Sequence, residues 1–163
     1  MAKGPKIPTT PAIRLLRQHH AEFEAHVCDY VEKGGTAHSS AALGVPEHQV
    51  IKTLVMQDDG AQPLLVLMHG DRQVSTRSLA RHIGARSITP CTPNVAAKHT
   101  GYQVGGTSPL GTRKSLPVYA ESSVFELERI YINGGKRGLL VSLPPAELER
   151  VLEVERVHVA QAE

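Results

Sequence analysis

Apolar residues recur along this chain at the two spacings that distinguish helices from strands. Near the amino end, Thr10 followed by Pro11 is typical of a helix start, and Ile13 and Leu16 supply the apolar face of a helix that runs to about His20. Similar combinations of capping residues, prolines and apolar positions predict further short helices at 39–43, 75–83, 94–98, 123–127 and 145–152.

Strands are predicted where apolar residues alternate or run together between turn signals. Two apolar runs, at 50–56 and 63–68, flank a turn at 58–60 and predict a buried hairpin. Asn133-Gly134 marks the turn of a second hairpin over 130–142. Further strands are expected at 23–27, 116–120 and 157–160.

The order of these elements indicates the fold class. Helices and strands do not alternate strictly, so we expect a mixed α/β (α+β) fold rather than a doubly wound one. Its core should be a mixed, barrel-like β-sheet flanked by short helices. No internal repeat or domain-sized linker interrupts the chain, so a flexible tail at 1–9 is expected to precede a single domain at 10–163.

The composition is that of an ordinary globular domain, and it excludes several classes of function. The formal net charge of +2 is too small to indicate a nucleic-acid binder by itself, and no apolar run suits a signal peptide or a membrane span. Cys28 and Cys91 form no disulfide framework, which favours a cytoplasmic setting. The nine histidines lack zinc-site spacing, so neither a metal nor another cofactor is expected.

The stretch 101–114 is the first candidate for chemistry. It contains four glycines together with Thr107, Ser108 and Pro109, and it could present backbone N–H groups to an anion or to a developing oxyanion. It has neither the spacing of a Walker A loop nor that of a dinucleotide fingerprint. Composition alone favours a glycine-rich surface turn here.

Two other features place positive charge within predicted elements. Lys52 interrupts an apolar strand, so its ammonium either faces a pocket or reaches solvent along the sheet edge. Four arginines surround the helix predicted at 75–83, where they form either a phosphate-facing surface or a solvated helix face. They are Arg72, Arg77, Arg81 and Arg86.

Three separated signatures then stand together in one order: Ile-Lys-Thr-Leu at 51–54, the glycine-rich run at 100–111, and Asn-Gly-Gly-Lys-Arg-Gly-Leu at 133–139. In this order and spacing the chain resembles the YbaK/EbsC family of aminoacyl-tRNA deacylases, which is related to the editing domain of bacterial prolyl-tRNA synthetases. The resemblance runs from Thr10 to the last predicted strand. It implies the editing-domain fold and hydrolysis of the ester between an amino acid and the 3′-terminal ribose.

The resemblance also implies roles for individual residues. Lys52 takes the place of the family's central lysine, which holds a phosphate or ribose hydroxyl of the terminal adenosine or stabilises charge near the ester. Gly106, in the loop that positions the aminoacyl carbonyl, is the second residue implied in catalysis. The implied substrate-binding residues are Thr53, Tyr30, Gly105, Thr107, Ser108, Pro109, Asn133, Gly134 and Gly135. The implied contacts to tRNA phosphates are Lys136, Arg137 and Arg113.

The chain offers no obvious nucleophile of its own. A Gly-x-Ser-x-Gly elbow is absent, and a lone cysteine such as Cys28 is more often a small buried hydrophobe than a nucleophile. This fits the substrate-assisted cleavage that the resemblance implies, in which the thiol of a cysteinyl group attacks its own ester. Such an enzyme has mainly to orient and stabilise its substrate.

One departure from the family affects specificity. Cysteinyl-specific relatives tend to carry a tyrosine at the position of Cys28, and Tyr30 lies two residues on, where the same face of a strand recurs. The first hypothesis is therefore a hydrolase that removes cysteine from tRNA(Pro), and also from tRNA(Cys), as a monomer beside prolyl-tRNA synthetase. The alternatives are a deacylase specific for alanyl, seryl or threonyl groups, and a non-catalytic tRNA- or nucleotide-binding module.

Overall fold

A computed structural model describes residues 6–162 of the chain. Its five α-helices are short, and they are α1 Pro11–Gln18, α2 Gly35–Leu43, α3 Thr76–Ile83, α4 Pro93–Thr100 and α5 Pro145–Val151. Two 3₁₀ segments lie at Glu47–Gln49 and Ser122–Glu126. The strands in chain order are β1 Glu24–Val27, β2 Ile51–Asp58, β3 Pro63–His69, β4 Arg72–Val74, β5 Ile88–Pro90, β6 Val118–Glu121, β7 Ile130–Asn133, β8 Leu139–Leu143, β9 Glu155–Val157 and β10 Ala160–Ala162.

The main sheet has the strand order β5-β2-β3-β6-β9 and is mixed. Strand β2 pairs antiparallel with β3 over seven residue pairs, from Ile51–His69 to Gln57–Pro63. It pairs antiparallel with β5 over only three, from Met56–Pro90 to Asp58–Ile88. Strands β3, β6 and β9 are parallel neighbours. The mixed α+β single-domain fold predicted from the sequence is confirmed.

A second sheet, β1-β8-β7, is antiparallel, and β4 and β10 pair in a separate two-stranded antiparallel sheet. The first hydrophobic core lies between the main sheet and the second sheet, with α1 packed into it. On β2 this face carries Ile51 and Val55, whereas Leu54 and Met56 face a second core that α3 covers with Leu79. Because side chains alternate along a strand, residue 53 belongs to the first-core face and residue 52 to the second-core face.

Several predicted elements are confirmed with their end signals. Thr10 caps α1, and Ser75 caps α3, which ends at Gly84 in the left-handed conformation. Both predicted hairpins form, as β2–β3 and β7–β8. The predicted tail falls partly outside the described residues, because 1–5 are not described, but Ile7 packs against the first core.

Other predictions of secondary structure are wrong in detail. The strand expected at 157–160 is two short strands, β9 and β10, and the helix expected at 39–43 begins earlier, at Gly35. The helix expected at 123–127 is a 3₁₀ segment, and the Ser123 hydroxyl bonds His69 rather than capping it. Strands β4 and β5 were not predicted, since each contributes a single buried apolar side chain to the sheet.

Thr10 connects the first helix to the turn of the β7–β8 hairpin. Its Oγ1 accepts a hydrogen bond from the N–H of Ile13 at 3.1 Å and donates one to the carbonyl of Gly134, and the residue is buried. The same hydroxyl therefore caps a helix and fixes a loop of the candidate site.

We expect Thr10→Ala to lower the free energy of unfolding by about 2 kcal/mol, because a helix cap and a buried hydrogen bond are both lost. Thr10→Ser keeps the hydroxyl and should lose less than about 1 kcal/mol. Urea unfolding of the two variants measures the difference. Equal stability of the alanine and serine variants would show that the hydroxyl has no such role.

Candidate active site

A cavity of about 660 Å³ opens beside the first half of β2. Its walls come from the segment after β1, α2, β2, the residues leading into α4, the glycine-rich loop and the β7–β8 turn. Apolar side chains form most of the surface, and a few polar groups converge on it. Cavities of this size and composition are typical of small-molecule sites.

The cavity exists because one edge of β2 is only partly paired. The Cys91 N–H donates to the carbonyl of Val55 at 3.0 Å, so the backbone groups of Val55 point to the β5 side. In a strand, alternate residues direct their backbone groups to the same edge. The N–H and C=O of Thr53 therefore point to this edge as well, ahead of the point where pairing with β5 begins at Met56. A bound molecule could pair with them.

Lys52 and Thr53 both line the cavity, although their side chains leave opposite faces of β2. Lys52 is half-buried. The Thr53 Oγ1 is buried and, within residues 6–162, is the one such side-chain oxygen or nitrogen that lacks a hydrogen-bond partner. A buried hydroxyl without a partner costs about 1–3 kcal/mol. That cost is removed if a ligand in the cavity supplies the partner.

The glycine-rich loop forms the wall opposite β2 through two close approaches. A Cβ on Gly105 would lie 2.9 Å from the Tyr30 ring, and its φ of +87° also favours glycine. A Cβ on Gly106 would lie 2.8 Å from the backbone nitrogen of Arg137. The loop and the β7–β8 turn therefore touch backbone to backbone, which only glycine permits.

Hydrogen bonds inside the loop determine which N–H groups remain available. The Gly106 N–H donates to the Gln103 carbonyl at 2.8 Å, and the Leu110 N–H donates to the Ser108 Oγ at 3.1 Å. The N–H groups of Gly105 and Thr107 donate to no other residue of the described chain. Both of these residues line the cavity, so they are the loop's candidate donors to a substrate oxygen.

A buried tyrosine anchors the base of this loop. The Tyr102 hydroxyl donates to the Leu110 carbonyl at 2.6 Å, and burial raises the pKa of Tyr102 to about 12. It therefore remains a neutral donor at physiological pH. The bond joins the two ends of the turn that contains Gly105 and Thr107, so it fixes the position of their N–H groups.

Asn133 ties the β7–β8 turn to the glycine-rich loop. Its Nδ2 donates to the Gly105 carbonyl at 3.1 Å, and its Oδ1 accepts from the N–H groups of Gly135 and Lys136. One amide side chain thus closes the turn on itself and holds the loop across it. Asn133 also lines the cavity.

Tyr30 and Arg137 form the rim of the cavity. The Arg137 guanidinium lies 4.8 Å from the centre of the Tyr30 ring, and its Nε donates to the Val104 carbonyl at 2.9 Å. Arg137 therefore holds the glycine-rich loop as well as carrying charge at the rim. Cys28 lines the same region, where burial and the neighbouring Asp29 raise the pKa of its thiol.

The structure brings together only part of the set of residues singled out from the sequence. Those that line the cavity are Lys52, Thr53, Tyr30, Gly105, Thr107, Asn133 and Arg137. Those that do not are Gly106, Ser108, Pro109, Gly134, Gly135, Lys136 and Arg113. The first four of this second group are buried supports of the two loops, whereas Lys136 and Arg113 are exposed.

Sequence reasoning missed one wall of the cavity. Thr36, His38 and Ser39 of α2 line it, and the His38 Nε2 lies 2.9 Å from the carbonyl oxygen of Asp29. Helix α2 has no buried residue, and its sequence has no apolar periodicity that would assign it a face. No signal in the sequence would have identified this wall.

Comparisons with known proteins agree with this geometry. Residues 33–151 match the family described as "Aminoacyl-tRNA editing domain". The chain belongs to the aminoacyl-tRNA editing domain family. It is therefore a hydrolase acting on aminoacyl-tRNA, and the resemblance inferred from the three signatures is confirmed.

The sequence matches to individual relatives cover either most of this chain or about half of it. The chain is 28% identical over 146 residues to an Enterococcus faecalis protein named as a candidate Cys-tRNA(Pro)/Cys-tRNA(Cys) deacylase, EbsC, and the match covers 89% of each chain. It is 35% identical over 85 residues to a proline–tRNA ligase of Nitratidesulfovibrio vulgaris, a match to 52% of this chain and 15% of that one.

Solved structures share the fold of this editing domain. The crystal structure of a candidate trans-editing enzyme for prolyl-tRNA synthetase superposes with a TM-score of 0.80 at 20% identity, over 95% of this chain and all of that one. A hypothetical protein gives a TM-score of 0.86 at 20% identity, over 93% of this chain and all of that one. At such identities the likeness shows the fold alone.

The cavity of the editing domain contains no activated nucleophile among the described residues. Among the described residues, no serine or cysteine that lines it is hydrogen-bonded to a histidine. Burial raises the pKa of the Cys91 thiol, as it does for Cys28, so both thiols are protonated at neutral pH. The polar residues that line the cavity include Lys52, Thr53 and Thr107.

A histidine cluster lies outside the cavity. His48 and His69 stack with ring centres 3.7 Å apart and planes 6° apart, and the His48 Nδ1 lies 2.8 Å from an Asp71 carboxylate oxygen. These three residues are the one group in the described chain whose ligand atoms approach closely enough to hold a metal ion. The lone pairs of parallel rings do not converge on one point, however, so the observed arrangement is a hydrogen-bonded network rather than a ligand set.

His69 is the buried member of that network. Its Nδ1 lies 2.7 Å from the His48 carbonyl oxygen and its Nε2 lies 2.7 Å from the Ser123 Oγ. Burial is the main cause of a lowered pKa for His69, and the nearby His48 ring adds to it, while the hydrogen bond to the His48 carbonyl and the carboxylates of Asp71 and Glu121 oppose the shift. In the folded protein His69 is therefore neutral at pH values where an exposed histidine is already charged.

This shift predicts how stability depends on pH. Below the unfolded-state pKa of about 6.5, the unfolded chain takes up a proton at His69 before the folded protein does, so the free energy of unfolding falls as the pH drops. We expect His69→Gln to be destabilised by about 1–3 kcal/mol at pH 7.5 and to lose less stability between pH 7 and pH 5 than the wild type. Thermal unfolding across that range measures both effects.

Ser123→Ala is the matched control for this comparison. It removes the hydrogen bond to the His69 Nε2 but keeps the buried imidazole, so it should be destabilised while keeping the pH dependence of the wild type. A pH dependence in His69→Gln that equals that of the wild type would contradict the assignment.

Proposed function

We propose that this editing domain removes cysteine from mischarged Cys-tRNA(Pro) in trans, and also acts on Cys-tRNA(Cys). One observation carries the proposal: the cavity is lined by Lys52, by Thr53 and by two loop residues with available N–H groups, and the described residues around it include no activated nucleophile. The likeness to EbsC, whose name gives these two substrates, supports the choice of the amino acid.

Lys52 supplies positive charge to the bound 3′ end. Its ammonium neutralises a phosphate or hydrogen-bonds a ribose hydroxyl of the terminal adenosine, or it stabilises the charge that develops at the ester. The hydroxyl and backbone groups of Thr53 hold the aminoacyl group at the open edge of β2. Lys52 and Thr53 both line the cavity and leave opposite faces of one strand, which supports these separate roles for the two residues.

The glycine-rich loop binds the aminoacyl carbonyl. The N–H groups of Gly105 and Thr107 serve as donors, because the N–H of Gly106 is already bonded to Gln103. Gly106 then acts by allowing the close contact with Arg137, and Ser108 acts by holding the turn. A donor aimed at the developing oxyanion contributes roughly a hundred- to thousand-fold in rate.

The nucleophile is the thiol of the substrate. Its sulfur attacks the carbonyl carbon of the same cysteinyl group, the bond from that carbon to the ribose oxygen breaks, and the thiol proton ends on the departing ribose oxygen. The products are free tRNA and a cyclic thiolactone, which water then opens to cysteine. The protein has to position the thiol and stabilise charge, which agrees with the absence of an activated nucleophile in the cavity of the described chain.

The specificity for cysteine rests on the rim of the cavity. Tyr30 closes the space beside Gly105, and Cys28 adjoins it where cysteinyl-specific relatives tend to have tyrosine. In this chain the aromatic ring is at position 30 instead of position 28, and this difference bears on amino-acid specificity. A deacylase of alanyl, seryl or threonyl groups is therefore the second candidate. A non-catalytic tRNA-binding module is the third.

The cellular setting follows from this function. Aminoacyl-tRNA is the substrate, prolyl-tRNA synthetase is the partner expected from the partial match to proline–tRNA ligases, and the domain acts as a monomer in the cytoplasm. None of the helices within the described residues is long and apolar enough to cross a membrane.

We expect Lys52→Ala to reduce kcat/KM for Cys-tRNA(Pro) by roughly a hundredfold or more, because the charge at the ester or the terminal adenosine is lost. Its melting temperature should remain near that of the wild type. Lys98→Ala, which removes an exposed lysine of α4 away from the cavity, is the control and should keep full activity. Single-turnover deacylation with each variant measures the effect.

The same assay with Ala-tRNA(Pro) and Ser-tRNA(Pro) separates the candidates. Rapid loss of cysteine alone supports thiol assistance, whereas equally rapid loss of alanine or serine would reject it and leave the hydrolase. Absence of turnover on every substrate would favour the binding module.

A further inference from the structure

A groove between α3 and β5 carries a concentration of positive charge. Its volume is about 380 Å³, and three exposed arginines, two hydroxyl groups and apolar side chains line it, with no acidic side chain among the described residues of its lining. We call it the arginine groove, and its charged residues are Arg77, Arg81 and Arg86.

The charges of these three arginines are not compensated by an ion pair within residues 6–162, unlike those of several other arginines. Arg129, Arg150 and Arg156 each lie within 4.0 Å of a glutamate oxygen. No ion pair or side-chain hydrogen bond joins the three groove guanidinium groups to any other residue between 6 and 162. The groove therefore has donors free for a ligand with several negative charges.

Two acidic groups lie near the groove, and both already have partners. Asp59 accepts a hydrogen bond from the backbone N–H of Arg86 at 2.9 Å, and Glu155 bonds His82, the residue that follows Arg81. The Asp59 carboxylate reduces the field at one end of the groove. Because Asp59 lies beside Arg86, the main positive charges of the groove are those of Arg77 and Arg81, which are one turn apart on α3.

The arginine groove adjoins the candidate active site along strand β5. Ile88 lines the groove and Pro90 lines the cavity, and two residues along a strand span about 7 Å. Helix α3 also covers the face of the main sheet to which Lys52 belongs by alternation. The cavity and the groove are therefore about two residues apart along β5.

We propose that the arginine groove binds the sugar-phosphate backbone of the tRNA acceptor stem while the 3′-terminal adenosine occupies the cavity. The inference rests on the proposed function, since the cavity must hold the 3′ end for the groove to meet the stem. Guanidinium groups suit phosphate oxygens because their planar N–H fork bonds two oxygens at once. In this arrangement α3 binds the body of the tRNA, together with the positively charged tip of the β7–β8 hairpin.

The test compares Arg77→Gln/Arg81→Gln with Arg14→Gln/Arg17→Gln. The second pair removes the same charge from two exposed arginines of α1, which lie outside the groove and have no ion-pair partner in the described chain. Binding of uncharged tRNA(Pro) is measured between 50 and 200 mM salt. We expect the groove variant to bind about tenfold more weakly at low salt and to lose about two from the slope of log K against log[salt].

The control variant should keep the wild-type affinity to within about twofold. Equal weakening in both variants would show a non-specific effect of charge and overturn the proposal. An unchanged affinity and slope in the groove variant would overturn it as well. Circular dichroism and thermal unfolding verify that both variants are folded.

A second measurement separates this inference from the proposed function. We expect the ratio of kcat/KM for full-length Cys-tRNA(Pro) to that for a 3′-cysteinylated CCA trinucleotide to fall about tenfold in the groove variant. An unchanged ratio would overturn the groove as a stem-binding surface. If the wild type hydrolyses neither substrate, the proposed function fails. The tRNA-binding comparison still tests whether the groove binds tRNA.

Discussion

The incomplete pairing of strand β2 is the constraint on which the site depends. One edge of β2 is bonded to β3 along nearly its whole length, which fixes the strand firmly in the main sheet. The other edge meets β5 only at its far end. The unpaired backbone N–H and C=O groups of such an edge can form hydrogen bonds with another chain. Here the glycine-rich loop, α2 and the segment after β1 surround it, and the space left inside becomes a binding cavity.

The two loops that face β2 are held by contacts that tolerate little change. Gly106 approaches the backbone of Arg137, and Asn133 and Arg137 each donate to a carbonyl of the glycine-rich loop. Thr10 in turn holds the β7–β8 turn from the side of α1. The available N–H groups of the loop are thus positioned by the folded core, as the proposed contact to a substrate oxygen requires.

How far the sequence predicts this protein depends on whether a feature is local. The cap at Thr10, the end of α3 at Gly84 and both hairpins follow from neighbouring residues, and they were predicted correctly. Strands β4 and β5 were not, because three residues with one buried apolar side chain carry no periodic signal. Their position is decided by the tertiary pairing with β10 and β2.

The same distinction applies to the site. Lys52 is conspicuous in an apolar run, but only the resemblance to a family gave it a role. Contacts between residues that are distant in sequence, such as Arg137 with Tyr30 and Gly106 with Arg137, produce no local sequence pattern that would predict them. Nor could the sequence show that the Gly106 N–H already donates to the Gln103 carbonyl, which is why the proposal assigns the donor role to Gly105 and Thr107 instead.

The central claim is that the cavity at the open edge of β2 holds the aminoacylated 3′ end. The most direct measurement is a crystal structure with a stable amide analogue of 3′-cysteinyl-adenosine. The account predicts that the analogue lies in the cavity, with its carbonyl oxygen within hydrogen-bonding distance of the Gly105 or Thr107 N–H and with the Thr53 hydroxyl bonded to the ligand. An analogue bound outside the cavity, or one whose carbonyl points away from the glycine-rich loop, would contradict it.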